Sequence, residues 1–271
     1  MCIIKIKEFK KEIKKNLKKH NFKKDDNLFI ASNLSCFGKI KLDKKTKLKI
    51  LFDIIIDEII PNGTLFVPTG SLYLCNTNIP FDIENTPSKD MGAFSEYVRY
   101  QKKSIRSMHP FWSVTGFGKN ANVLKKVSRH SYGIGSPWGK FIDLNTKQLN
   151  IGVHPSRAVT LIHHIETLFG VPYRYTKEFK HKIKTKSKIN YENFYLSVLY
   201  NNTDINKKID LNSHYFKKLK RLNKLNFYEN NLSFKTWSFK MKDFYNVALE
   251  FFISDIYNYL EDEPSIKPFT K

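Results

Sequence analysis

The stretch from Asn27 to Gly70 constrains the fold most. Asn27-Leu28-Phe29-Ile30-Ala31 is a short apolar run that reads as a buried strand. It enters Ser32-Asn33-Leu34-Ser35-Cys36-Phe37-Gly38, a polar turn rich in small residues. Lys45 to Ile60 reads as a helix, stopped by Pro61-Asn62-Gly63. Thr64-Leu65-Phe66-Val67 is the next strand, closed by Pro68-Thr69-Gly70. Two strands joined by a crossover helix can lie parallel in one sheet, the helix covering its face. The chain is therefore expected to be α/β, with a mixed or mainly parallel sheet flanked by helices.

The remaining segments extend this rhythm. Ile4, Ile6, Phe9, Ile13 and Leu17 stand among lysines over 4–19, as in an amphipathic surface helix. Residues 71–91 read as irregular, Gly92 to Gln101 as helical, and Asn120 to His130 as a further helix. Phe141-Ile142-Asp143-Leu144 and Gln148 to Val153 resemble a hairpin around Asn145-Thr146, followed by a helix carrying His163. Residues 180–189 alternate lysine with other residues like a charged edge strand, which resists pairing with other chains. A helix from Lys242 to Leu260 closes the sequence. One domain spanning 1–271 is expected: a core at 28–176 and a peripheral, basic, aromatic-rich elaboration with its closing helix at 177–271.

The net charge is +22 and unevenly placed. Residues 1–50 hold sixteen Lys against five acids, and 177–240 hold fifteen Lys or Arg against five, around a nearly neutral middle. Such flanks suit a polyanionic partner, or they are solvated faces in a lysine-rich composition. Lysine interleaved with aromatics in 191–240 suits stacking on bases or half-buried core elements; the latter is the simpler account. No apolar run approaches the ~20 residues of a membrane helix. Cys2, Cys36 and Cys75 have neither metal nor redox spacing, which points to a reduced, cytoplasmic protein. No metal is expected.

Thr160-Leu161-Ile162-His163-His164-Ile165-Glu166 carries the chemistry. On a helix, Thr160, His163 and Glu166 share one face, which sets an imidazole beside a carboxylate. A neutral imidazole so placed can take a proton from an attacking group. The plainer alternative is a core histidine with a satisfied hydrogen bond. No phosphate loop, dinucleotide fingerprint or Gly-x-Ser-x-Gly elbow is present.

Five ordered segments surround this trio: Gly63 to Thr69; Phe81 to Ser88 continuing through Met91 to Arg99; Arg106-Ser107-Met108-His109-Pro110-Phe111-Trp112-Ser113; Tyr132-Gly133-Ile134-Gly135-Ser136-Pro137-Trp138; and Thr160 to Glu166. In order and spacing they resemble the aminoglycoside 3-N-acetyltransferase family, over roughly Leu28 to Glu166. The resemblance implies acetyl transfer from acetyl-CoA, or another acyl-CoA, to an amine of an amino sugar. It implies His163 as general base, Glu166 as its orienting partner and Thr160 as a hydroxyl donor. Transfer would be direct, since no covalent nucleophile stands out.

For CoA, the turn carrying Ser32, Leu34, Ser35 and Gly38 is a candidate, because small residues let backbone N–H groups approach phosphate at a helix start. The resemblance adds Arg106, Ser107 and Ser113, with a surface ion pair as the other reading of Arg106. Thr69, Asp82, Glu96 and His109 are candidates for the acceptor side. Glu96 meets a cationic acceptor, or pairs with Arg99 or Lys102 on its own helix; the sequence leaves both open.

Two positions depart from the family pattern: Ala31 where the family usually has His, and Arg157 where it is often acidic. A strongly basic chain with Arg157 near the trio suits a nucleotide-linked amino sugar or surface-glycan precursor better than a polycationic antibiotic. Antibiotic modification by the same chemistry is the alternative. A nucleic-acid-binding protein on an inactive scaffold is the alternative of another class, though no nucleic-acid partner is expected. The sequence is compatible with a homo-oligomer.

Overall fold

The computed structural model describes residues 6–37, 40, 42–186, 188–201, 205, 213–229 and 234–269. Helix α1 (Ile6–Lys18) turns Phe9, Ile13 and Leu17 inward and most of its lysines outward. Strand β1 (Asn27–Ser32) ends in a four-residue 3-10 turn, Leu34–Phe37. Helix α2 (Lys44–Asp53) is capped by Asp43, which accepts from the Thr46 N–H. It continues as a π-helical turn, Ile54–Ile59, and delivers the chain to β2 (Thr64–Pro68). Then come β3 (Phe81–Asp82), α3 (Ala93–Arg99), β4 (Ile105–Arg106) and β5 (Val114–Gly118). Helix α4 (Pro137–Asp143), β6 (Lys147–Ile151), α5 (Pro155–Ala158) and α6 (Leu161–Phe169) follow. A long hairpin, β7 (Arg174–Thr185) and β8 (Lys188–Leu199), precedes α7 (His214–Arg221), β9 (Leu225–Glu229), β10 (Lys235–Lys240) and α8 (Met241–Ser254).

The main sheet has seven strands in the order β4-β5-β2-β1-β6-β10-β9. β1 runs parallel to β2 and to β6, while the outer pairs are antiparallel. Both faces are covered, so the inner strands read as continuous apolar runs. Leu28, Ile30, Leu65, Val67, Leu149 and Ile151 pack on one side with residues of α1, α2 and α3. Phe29, Ala31 and Phe66 pack on the other, with α4, α6, α7 and α8. The expected α/β sheet flanked by helices is thus what the chain forms.

Three local expectations are corrected. No hairpin spans 141–153: Phe141 lies in α4, which Pro137 opens, and Asn145 follows its end at a φ of +50°. β6 pairs with β1 and β10, not with its immediate neighbour in sequence. Residues 120–130 form only a short 3-10 segment, Ala121–Lys126. The closing helix stops at Ser254, where Asp255 turns extended.

The C-terminal portion is also less peripheral than its composition suggests. β10 lies beside β6 inside the main sheet, and Trp237, Phe239, Phe244 and Phe252 join the largest apolar cluster. The β7–β8 hairpin forms a second sheet with β3.

Candidate active site

The carboxyl ends of β1, β2 and β6 converge on an open cleft of about 1000 Å³. Chain connections leave β1 toward β2 on one side, while β6 arrives on the other; such a switch point leaves a crevice for ligands. The turn Ser32–Ser35, Pro68, residues 90–93 and residues 152–157 form the walls. Lys44, Lys47 and Arg157 bring positive charge to it, against Asp90. Gly152 has a φ of +63°, and a Cβ there would meet Cys36 Cβ and Sγ at 2.6 Å, so only glycine lets β6 exit beside the β1 turn.

A narrow slot of about 90 Å³ adjoins the cleft and shares Ala31, Pro68, Met91 and Arg157 with it. Phe29, Trp112, Val114, Trp138 and Ala158 give it apolar walls, and Ser113 and Thr160 supply hydroxyls. Thr160 stands at the start of α6, where its side chain makes no helix cap. His163 follows one turn later.

The His163 side chain is 21% exposed, whereas that of Glu166 is fully buried. Their Nδ1 and Oε2 atoms are 2.6 Å apart. Arg174, at the start of β7, brings Nε within 2.7 Å of the same oxygen. Its Nη2 also lies 3.0 Å from His163 Nδ1. One ring nitrogen cannot serve both neighbours. The charged carboxylate at the shorter distance accepts a hydrogen bond from Nδ1–H, which leaves Nε2 as the basic nitrogen. Burial opposes ionisation of Glu166, but His163 and Arg174 outweigh it and hold the carboxyl below its ordinary range. Tyr132 and Tyr259 flank the imidazole at 5.6 and 5.9 Å between ring centroids. Tyr132 also packs on Trp112 and Trp138, so the imidazole and the slot share a neighbour.

The other sequence candidates divide into two groups. Ser32, Leu34 and Ser35 line the cleft, and Ser113 lines the slot. The β1 turn is a short 3-10 segment rather than the start of a long helix, and Gly38 lies outside the described residues.

Arg106 is 7% exposed, and makes no ion pair among the described residues. Its guanidinium donates to Ser113 Oγ, Thr86 O, Thr69 O and Ser71 Oγ at 2.5–3.1 Å. Burial, helped by Arg99, pushes it down to about 9. Ser107 Oγ accepts from the Val114 N–H at 2.9 Å. Thr69 is buried against Thr115 Oγ1 at 2.9 Å.

Asp82 organises a turn by accepting from the Glu84 and Asn85 N–H groups. Glu96 binds Arg99 at 2.8 and 2.9 Å, the intrahelical of its two alternatives. His109 is buried, with Nδ1 accepting from the Trp112 N–H; burial pulls its imidazole down to about 3, so it is neutral. These residues brace the walls and do not line either cavity.

Arg174 was not singled out by the sequence, because its charge merges with a basic stretch and its partner lies eight residues upstream. Tyr132 and Trp138 bounded one of the ordered segments without a role of their own, and Tyr259 was hidden among core aromatics. His164 points away from the trio: its Nδ1 accepts from the Gly133 N–H, and burial draws it down to about 4. Among the described residues, no three His, Cys, Asp or Glu side chains converge as a metal site.

A model of the aminoglycoside 3-N-acetyltransferase family matches residues 29–252. The chain belongs to that family. It is accordingly an N-acetyltransferase that uses acetyl-CoA. The family's fold is shared by solved structures. The aminoglycoside acetyltransferase AAC(3)-Xa superposes with a TM-score of 0.75 at 17% identity, over 93% of this chain and 94% of that one. The YokD protein from Bacillus subtilis gives 0.72 at 19% identity, over 91% and 99%. AAC-IIIb, solved as a binary complex with CoASH, gives 0.73 at 17% identity, over 94% and 98%. No curated protein matches the sequence. No helix among the described residues is long and apolar enough to cross a membrane.

Proposed function

We propose that this family member acetylates a ring amine of an aminoglycoside-type amino sugar, with His163 as the general base. The observation that carries the reading is the His163–Glu166 contact at 2.6 Å, one helical turn from Thr160 in the slot. The acceptor amine must be neutral to attack the thioester carbon. As the C–N bond forms, Nε2 of His163 takes one of the two amine protons, the other staying on the amide nitrogen, and Glu166 stabilises the imidazolium. The C–S bond then breaks, and the proton passes to the departing CoA thiolate. The Thr160 hydroxyl donates to the carbonyl oxygen as charge gathers there.

The donor fits the rest of the geometry. The phosphates of CoA meet Lys44 and Lys47 at the cleft, and the pantetheine arm follows the slot toward Thr160. This assigns much of the cleft's positive charge to the donor and leaves room for a cationic acceptor. Glu261, Asp262 and Glu263 are exposed just beyond Tyr259, whose ring neighbours His163, and favour such an acceptor.

A second reading rests on Arg157, which lies at the junction of cleft and slot without an ion-pair partner among the described residues. A guanidinium there favours an acceptor with its own negative charge, such as a nucleotide-linked amino sugar. Free CoA release, measured with acetyl-CoA and a panel of aminoglycosides beside nucleotide-linked amino sugars, separates the two. His163→Ala should abolish release while the melting temperature holds. Retained turnover would sink the base assignment.

A further inference from the structure

We propose that the closed end of the slot gauges the acyl chain of the donor, so that the enzyme takes unbranched acyl groups from acetyl through butyryl and turns away longer ones. The inference rests on the donor placement proposed above. Exposure orders the slot from mouth to end. Pro68, Met91 and Arg157 belong to the cleft as well and are half-buried or exposed. Phe29, Val114, Trp138 and Ala158 are only 1–2% exposed and close the far end. Ala31 stands where the two cavities meet, 9% exposed. It shares a face of β1 with Phe29, two residues earlier, so its methyl and that ring look the same way.

An arm that comes from the cleft to Thr160 puts its thioester at that hydroxyl and its acyl chain ahead of it, toward the closed end. The walls there are mostly hydrocarbon. Ser113 Oγ is already committed, donating to Thr69 O and accepting from Arg106 Nε. An alkyl chain gains by burial in such a place, whereas a carboxylate would lose its water without a partner. Size sets the limit. The slot's volume of about 90 Å³ holds roughly three water-sized groups, and a methyl or methylene is of that size. The propyl tail of butyryl therefore fills the space, and a longer tail must push apart a packed wall. The bonds exchanged are those of acetyl transfer: C–N forms, C–S breaks, and CoA leaves as the thiol.

The test is a donor series: CoA and its acetyl, propionyl, butyryl, hexanoyl and malonyl thioesters, titrated into the wild-type protein by calorimetry and then compared in turnover. The amine is whichever of the panel above releases most CoA with acetyl-CoA. Affinity should rise from acetyl- to butyryl-CoA as each methylene is buried. Hexanoyl-CoA should bind no tighter than CoA, and its kcat/KM should lie on the order of 100-fold below that of acetyl-CoA. Malonyl-CoA, similar in size to butyryl-CoA but charged at its tail, should behave like hexanoyl-CoA.

Ala31→Val narrows the junction and should lower kcat/KM for butyryl-CoA about tenfold more than for acetyl-CoA. Val114→Ala widens the closed end and should raise hexanoyl-CoA about tenfold relative to acetyl-CoA, a gain that misfolding does not produce. Saturable binding with no break between butyryl- and hexanoyl-CoA, or malonyl-CoA used as well as butyryl-CoA, overturns the proposal while sparing the donor placement. Unchanged donor ratios in both variants do the same. CoA that does not bind saturably overturns both.

Discussion

At the scale of the residue, Glu166 matters as much as His163. Its single oxygen Oε2 meets both the imidazole and the Arg174 guanidinium from a fully buried position. Glu166→Gln keeps the shape but removes the charge that both neighbours need. On the proposed mechanism the imidazolium of His163 loses its support, so kcat should fall on the order of 10²- to 10³-fold. Arg174 is left as an uncompensated, nearly buried cation, which should cost about 3–5 kcal/mol. Turnover and urea midpoint, measured on one preparation, read the two effects. A variant as stable as the parent would show that Arg174 finds another partner. The imidazole–carboxylate pair was legible in the sequence because both members lie three apart on one helix. Arg174 was not, because it reaches Glu166 across the turn between α6 and β7, a contact no local period encodes.

At the scale of the element, the cleft exists because two strand exits pass close together. The turn after β1 carries Cys36, whose N–H donates to Asn33 O, and the turn after β6 carries Gly152; that same oxygen lies 2.9 Å from where a Gly152 Cβ would stand. Gly152→Ala adds strain at a φ of +63° and pushes on the β1 turn, which the proposed function gives to the donor. It should destabilise the protein by roughly 1–3 kcal/mol and raise KM for acetyl-CoA several-fold. Unchanged KM with reduced stability would separate this turn from donor binding. The strand, turn, helix and strand of 27–68 were legible because each is a local pattern with its own stop signal. The supposed hairpin over 141–153 failed because β6 takes partners far away in sequence, β1 and β10. Likewise, Arg106 and His109 were visible as a motif, but only the folded chain shows that their polar atoms turn into the walls.

At the scale of the molecule, charge proved a poor guide to the interior. Lysine-rich stretches hid the aromatics of β10 and α7 that complete the core. Three of the four buried histidines among the described residues, spread over separate parts of the fold, set a clearer molecular property. His20 sits between Ser238 and Thr236 hydroxyls at 2.7 and 2.8 Å, joining the end of α1 to β10. His109 lies beneath the β7–β8 hairpin against Phe194, and His164 lies in α6. Burial draws them down to about 4, 3 and 4, from 6.5. In the unfolded chain each binds a proton near pH 6.5, whereas the native protein takes none until pH approaches 4. Between those values the unfolded state holds more protons, so stability rises with pH. It is fully present above about pH 6.5, declines as pH falls, and levels off for these groups below their native values. Each contributes up to ~1.4 kcal/mol per pH unit inside its window. Their sum is several kcal/mol, comparable with the ~5–15 kcal/mol that holds a typical domain together. Urea midpoints should therefore fall steeply from pH 6.5 to 4.5, and His20→Gln should flatten that slope by about one proton's worth. A midpoint indifferent to pH across this range would mean that the imidazoles gain water or a counter-charge on protonation and do not resist it.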